Sequence, residues 1–213
     1  MNMKIFLFIL FLVLSILNIT SIRNHNKAMR TITKPLLMPV LLSAYLCSSS
    51  HPSCMIALAL IFGFLGDTFL LGSGVFFTLG LFSFLLGHIF YISAFLSPVL
   101  LSKIPIYIYI FLLPYLIYGF IIYNKISPFI KSIKFQGLLY FIVLILMSFS
   151  SFLRIYTVHG YQFWLPFIGS ILFVISDTVL AFNAFKSKNT CREMIVMLTY
   201  TMAQLLIIAG FID

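Results

Sequence analysis

FWLPFIGSILFVISDTVLAFNAF, Phe163–Phe185, runs for 23 residues with one ionisable side chain, Asp177. Coiled as an α-helix at about 1.5 Å per residue it covers about 34 Å, enough to cross a hydrocarbon layer roughly 30 Å thick. It is a membrane span with a carboxyl group inside it, and the rest of the chain reads the same way. Apolar runs recur at Ile5–Ile22, Pro35–Cys47, Cys54–Leu71, Val75–Leu96, Pro105–Tyr123, Phe135–Phe152 and Met194–Ile212, giving eight spans with this one. The separators RNHNKAMRTITK, SSSHPS, GSG, SPVLLSK, NKISPFIKSIK, RIYTVHGYQ and KSKNTCR have loop chemistry.

Composition agrees. With 62% hydrophobic and 8% charged residues and a mean hydropathy of +1.17, the chain has more apolar surface than a 213-residue water-soluble fold can bury. Eight spans and short connections leave no room for a soluble domain, so residues 1–213 form a single transmembrane domain, an all-α polytopic bundle. The net charge of +9 resides between apolar runs rather than on a stripe interleaved with exposed aromatics. It marks topology and lipid-phosphate contact, and nucleic acid is excluded as a partner. Cys47, Cys54 and Cys191 make no CxxC or Cys/His cluster; Cys47 and Cys54 flank one short loop and pair only if it faces an oxidising compartment. The first run, preceded by Lys4, resembles a signal peptide but lacks a small-x-small cleavage site, and it reads as a retained helix.

Lys and Arg on alternating sides count ten (Arg23, Lys27, Arg30, Lys34, Lys125, Lys131, Lys134, Lys186, Lys188, Arg192) against three (Lys4, Lys103, Arg154). The ten-residue side is expected in the cytoplasm, with both termini extracytoplasmic and the bacterial inner (cell) membrane as the setting.

The chain has four acidic residues, and with Glu193 at an interface and Asp213 at the terminus, Asp67 and Asp177 are the intramembrane pair. An Asp at a helix centre opposes insertion by roughly 2.5–3.5 kcal/mol, which makes both functional candidates. Gly66-Asp67-Thr68 with Leu70 recurs as Ser176-Asp177-Thr178 with Leu180, 110 residues and four spans later, the trace of a parallel four-plus-four repeat. Counted from the cytoplasmic helix ends, Asp67 lies about 6 Å and Asp177 about 10 Å deep, facing one cavity. In the functional reading the two differ in protonation, one acid and one base; in the plainer reading they are satisfied buried carboxyls that lock helices together.

Lys34 opens the second helix level with Asp67, with Pro35 in the first helical turn, placed to meet a lipid phosphate, to pair with Asp67 or to snorkel. His88 and Tyr91 lie one turn apart on a face with Phe84 and Gly80, and His88, about 20 Å deep, lies deeper than the two aspartates, so contact with both carboxylates is not expected; it reads as a pocket or hydrogen-bonding residue, with proton donor as the lesser alternative. Tyr200 and Gln204 share a face of the last helix, and Ser176 and Asn183 stack in the seventh; interhelical hydrogen bonding or a headgroup contact accounts for them. GxSxG and HExxH are absent, which disfavours serine-lipase and zinc-amidase chemistry, and no metal or organic cofactor is implied.

These residues resemble the YhhN-like lysoplasmalogenases. The matching stretches are Lys34-Pro35-Leu36-Leu37-Met38-Pro39, Gly66-Asp67 with Gly80, Phe84, Gly87-His88 and Tyr91, Tyr140 through Met147, IGSILFVISDTVLAFNAF from Ile168 to Phe185, and MLTYTMAQLLIIAG from Met197 to Gly210. They touch six of the eight helices. The resemblance implies hydrolysis of the vinyl-ether bond of a lysophospholipid to a fatty aldehyde and a glycerophospho-ethanolamine or -choline, with Asp67 and Asp177 as the catalytic pair. The residue reading suits that chemistry, since a vinyl ether is cleaved by acid and two carboxyls of opposite protonation suffice. The competing expectation is a proton-coupled transporter or lipid flippase that uses the same carboxyls.

Overall fold

The computed structural model describes residues 3–130 and 134–212, without the Lys103 side chain; the expectations at Lys131 and Asp213 fall outside the described residues. Helices α1 (Met3–Arg23), α2 (Lys27–Ser48), α3 (Cys54–Phe69), α4 (Val75–Leu96), α5 (Leu112–Ile126), α6 (Lys134–Leu153), α7 (Tyr161–Phe185) and α8 (Thr190–Ala209) follow in order, with no strand among the described residues. Among the described residues, seven spans are long and apolar enough to cross a membrane, counting α5 with the 3-10 turn Ile106–Phe111 that leads into it; α3, with 16 residues, is shorter.

One boundary moves far from the hydropathy reading, and one span changes its helical geometry. The second span begins not at Pro35 but at Lys27, where the Asn26 side chain caps the helix by accepting from the Met29 amide at 3.0 Å. Lys27, Arg30 and Thr31 line the mouth of a polar hollow, so this end of the helix is hydrophilic. Pro35 is therefore interior to α2 rather than in its first turn, as is Pro39, and each removes one backbone hydrogen bond from the ladder. The fifth span starts in 3-10 geometry because Ile106-Tyr-Ile-Tyr-Ile-Phe111 is made of β-branched and aromatic residues, which crowd a helical turn.

Leu37, Met38, Leu41 and Tyr45 of α2, Ile56 and Leu60 of α3, Tyr91 and Phe95 of α4, Leu144 and Met147 of α6, and Phe173 of α7 form the solvent-free interior. Ile9, Ile16, Phe82, Leu116 and Phe120 point outward, as lipid-facing side chains do. With lipid as apolar as leucine, close packing and polar contacts hold the helices together. Ser170 of α7 meets Ser148 and Ser151 of α6 at 3.0 and 2.7 Å, Asn18 of α1 donates to Thr33 of α2 at 2.9 Å, and Arg30 of α2 pairs with Glu193 of α8 at 2.9 Å.

Helices α7 and α8 approach backbone to side chain at Gly169. A Cβ added at Gly169 would lie 2.8 Å from the Ala203 carbonyl oxygen and 2.9 Å from Ile207 Cγ1. Alanine gains up to about 1 kcal/mol over glycine in helix propensity, but here it meets backbone that cannot rotate away. Gly169→Ala is expected to cost about 1–3 kcal/mol net, read as a lowered unfolding midpoint in detergent; an unchanged midpoint would mean the two helices part freely.

Cys47, Cys54 and Cys191 are free and exposed, so the pairing considered for Cys47 and Cys54 is not formed. Arg154, assigned to a loop by its sequence neighbours, is instead 4% exposed. The 3-10 turn Arg154–Tyr156 tucks beneath the bundle, with the guanidinium 4.4 Å from the Phe211 ring centroid and 5.7 Å from that of Phe95. Aromatic faces offset part of the cost of removing that charge from water.

Candidate active site

A cavity of about 720 Å³ opens at the end of the bundle where α2, α4 and α8 begin and α3 and α7 end. Lys27, Arg30, Lys188 and Glu193 surround it together with the Gly72-Ser73-Gly74 connector, and Lys34, Asp67, Ser176, Asp177, Asn183 and Tyr200 line it. The two intramembrane aspartates thus share one hollow.

Their surroundings differ. Asp67 is 1% exposed and lies in the last turn of α3, where the partial negative charge of the helix end works against a carboxylate. Two groups compensate: Lys34 Nζ stands 3.6 Å from Oδ1, and the Tyr200 hydroxyl donates to Oδ2 at 2.9 Å. Tyr200 is held by edge-to-face contacts with Phe84 and Phe173. Lys34 thus makes the pairing with Asp67 that was one of its alternatives.

Asp177 is 7% exposed and sits near the middle of α7. Its Oδ2 accepts from the Tyr140 hydroxyl at 2.5 Å and lies 3.1 Å from His88 Nε2, which is also 3.2 Å from Tyr140 Oη. With Nε2 facing the Asp177 Oδ2 that also accepts from Tyr140, the ring proton belongs there, leaving Nδ1 as a buried lone pair that has no partner among the described residues. Phe173 meets the imidazole edge-on at 4.8 Å.

The contact between His88 and Asp177 corrects the depth argument made from the sequence. Counting from helix ends assumes that the ends are level and the helices upright. Phe77 meets Phe185 edge-on at 5.7 Å, so those residues are level. From there His88 is about 16 Å along α4 and Asp177 about 12 Å along α7, a gap that helix tilt and two side chains close.

Helices supplying the two sets of partners correspond. Asp67 on α3 is served by α2 and α8, and Asp177 on α7 by α6 and α4. A shift of four helices converts one arrangement into the other, with the Lys34 ammonium in the place of the Tyr140 phenol.

Ser176 donates to the Val196 carbonyl at 3.1 Å and Asn183 accepts from the Asn189 amide at 2.7 Å, so both stitch α7 to α8 while lining the hollow. Tyr91 and Gln204 lie apart from it: the Tyr91 hydroxyl donates to Gln204 Oε1 in the buried interior. Tyr140 is the partner that residue-by-residue reading missed, one phenol in an apolar run with no charge beside it. Its only signal was its place at the start of a stretch that matches the family pattern.

Residues 29–211 match the sequence model of the YhhN family. No curated protein and no solved structure matches the chain.

Proposed function

Because the chain belongs to the YhhN family, we propose that it is a membrane hydrolase that cleaves the vinyl-ether bond of lysoplasmalogens, with Asp67 and Asp177 as its catalytic pair. The observation that carries this reading is the placement of two buried carboxyls with unlike partners on one hollow whose mouth is basic.

Asp177 accepts both of its hydrogen bonds on Oδ2, and in this reading Oδ1 carries the proton that it donates. It gives that proton to the alkene carbon remote from the ether oxygen, and the neighbouring carbon becomes an oxocarbenium ion. Asp67, whose negative charge Lys34 and Tyr200 hold in place, stabilises the cation across the cavity. Water adds to the cationic carbon and loses a proton to Asp177, which restores the acid. The hemiacetal then collapses, its hydroxyl proton passing to the departing glycerol oxygen, to leave a fatty aldehyde and a glycerophospho-alcohol. Lys27, Arg30 and Lys188 stand where the substrate phosphate would rest. The basic mouth belongs on the cytoplasmic side of the cell membrane, where the positive-inside rule puts it.

The test is chemical. Protein purified in detergent, where no gradient exists, is expected to release aldehyde and glycerophospho-ethanolamine from lysoplasmenyl-ethanolamine in equal amounts. A transporter or flippase built on the same carboxyls would release none, and well-folded protein that yields no aldehyde would overturn the assignment.

A further inference from the structure

A second hollow of about 250 Å³ lies beside the first, and its character is opposite. It is a groove between α4, α6 and α7, closed near the α5 end by Ile126 and Ile130, and walled by Leu81, Leu85, Phe141 and Ala181. Phe77, Asp177, Leu180, Ala184 and Phe185 line both hollows. Tyr140 does double duty: its ring lines the groove and its hydroxyl donates to Asp177. Where the groove meets the outer surface its lining side chains are Phe82, Phe135 and Leu139, all exposed. The groove therefore leads from the hydrocarbon of the bilayer to Asp177, while the polar hollow leads from water and basic side chains to the same carboxyl.

We infer that the groove holds the single hydrocarbon chain of the lysolipid, which enters sideways from the leaflet between α4 and α6 and places its first carbons against Asp177 while its phosphate lies in the basic hollow. The inference rests on the proposed hydrolase reading and adds the chain-binding site and the route to it. The occupant is set by the surroundings. A hollow with almost no polar lining gives no partner to a headgroup, its outer end stands in lipid, and its inner end stops at a carboxyl group that has to meet the first carbons of a chain. An amphiphile with one chain and one phosphate matches an apolar and a basic hollow that share an edge. A second chain would have to occupy the hollow that Lys34 and Asp67 line.

The probe is a saturated 1-O-alkyl lysophosphatidylethanolamine, which has no vinyl ether to cleave, carrying a photoactivatable diazirine on its chain, with the full-length protein in phosphatidylcholine nanodiscs. Labelling is expected at Leu81, Leu85 and Phe141, at least fivefold above that at Ile9 or Phe120 on other lipid-facing helices. Excess unlabelled lysolipid should abolish it and excess diacyl phosphatidylethanolamine should not. Ala181→Phe, which fills the groove without touching the polar hollow, should lower the labelling at Leu85 at least fivefold; folding is checked by an unchanged elution volume and unfolding midpoint. Even labelling of all lipid-facing helices, or equal competition by the diacyl lipid, overturns the groove assignment. Labelling is independent of turnover: groove labelling without aldehyde release would sink the hydrolase reading alone, and aldehyde release without groove labelling would sink this one alone.

Discussion

Asp177→Asn is expected to reduce aldehyde release from a lysoplasmalogen by about 10²–10⁴-fold, the range for losing a general acid, and to leave the fold intact. The amide oxygen still accepts from Tyr140 and His88, which both bind one oxygen of the native carboxyl. What is lost is a transferable proton, because an amide N–H does not titrate in this range. A neutral amide also suits the bilayer interior at least as well as a carboxylate does, so an unchanged unfolding midpoint together with lost turnover is the combined signature. Near wild-type turnover by the folded variant would remove Asp177 from the mechanism.

The second large effect is on folding. Lys34 and Asp67 are 5% and 1% exposed and paired at 3.6 Å. Lys34→Met leaves a buried carboxylate beside the negative end of α3 without its counter-charge, and breaking one partner of a buried pair typically costs about 3–5 kcal/mol. The expected result is a large drop in unfolding midpoint or in monodisperse yield. Adding Asp67→Asn should restore stability, since a buried pair replaced as a unit is often neutral in effect, but should not restore aldehyde release. If Lys34→Met alone proves as stable as the native chain, Lys34 is acting on substrate and the ion pair is dispensable. The distinction matters because a lysine opening a helix at the interface would contact only the headgroup, with its loss felt chiefly in KM. Its burial inside α2 makes it a structural partner of the site first.

The spans were legible because lipid imposes a simple rule: a long apolar run must be a helix. Asp67 and Asp177 were legible for the complementary reason, that a lone carboxyl in such a run stands out. What periodicity conceals is polarity that faces inward. Residues 27–33 read as a loop since hydropathy cannot tell a hydrophilic loop from the polar first turns of a helix at the mouth of a hollow. Arg154 read as a loop charge, although two aromatic rings shelter it. The partners of Asp177 needed tertiary information: His88 was misplaced by a ruler laid along helix ends, and Tyr140 carries no charge to betray it. The four-span offset between the two Asp motifs foreshadowed something it could not specify, namely that corresponding helices would also supply each carboxyl with its neighbours.

Beyond the carboxyl site the bundle has a floor. The Tyr91 and Phe95 rings stack at 5.8 Å, Phe95 continues to Phe211 at 5.9 Å, and Arg154 caps that ring from beneath. The Tyr91 hydrogen bond to Gln204 ties the same layer to α8. An alternating carrier must expose its site first to one side of the membrane and then to the other, so each cycle would have to unstack these rings and strip a buried guanidinium of its cover. In the arrangement seen, that layer lies at the end of the bundle away from the polar hollow, and the two hollows that reach Asp177 are the polar one and the lateral groove.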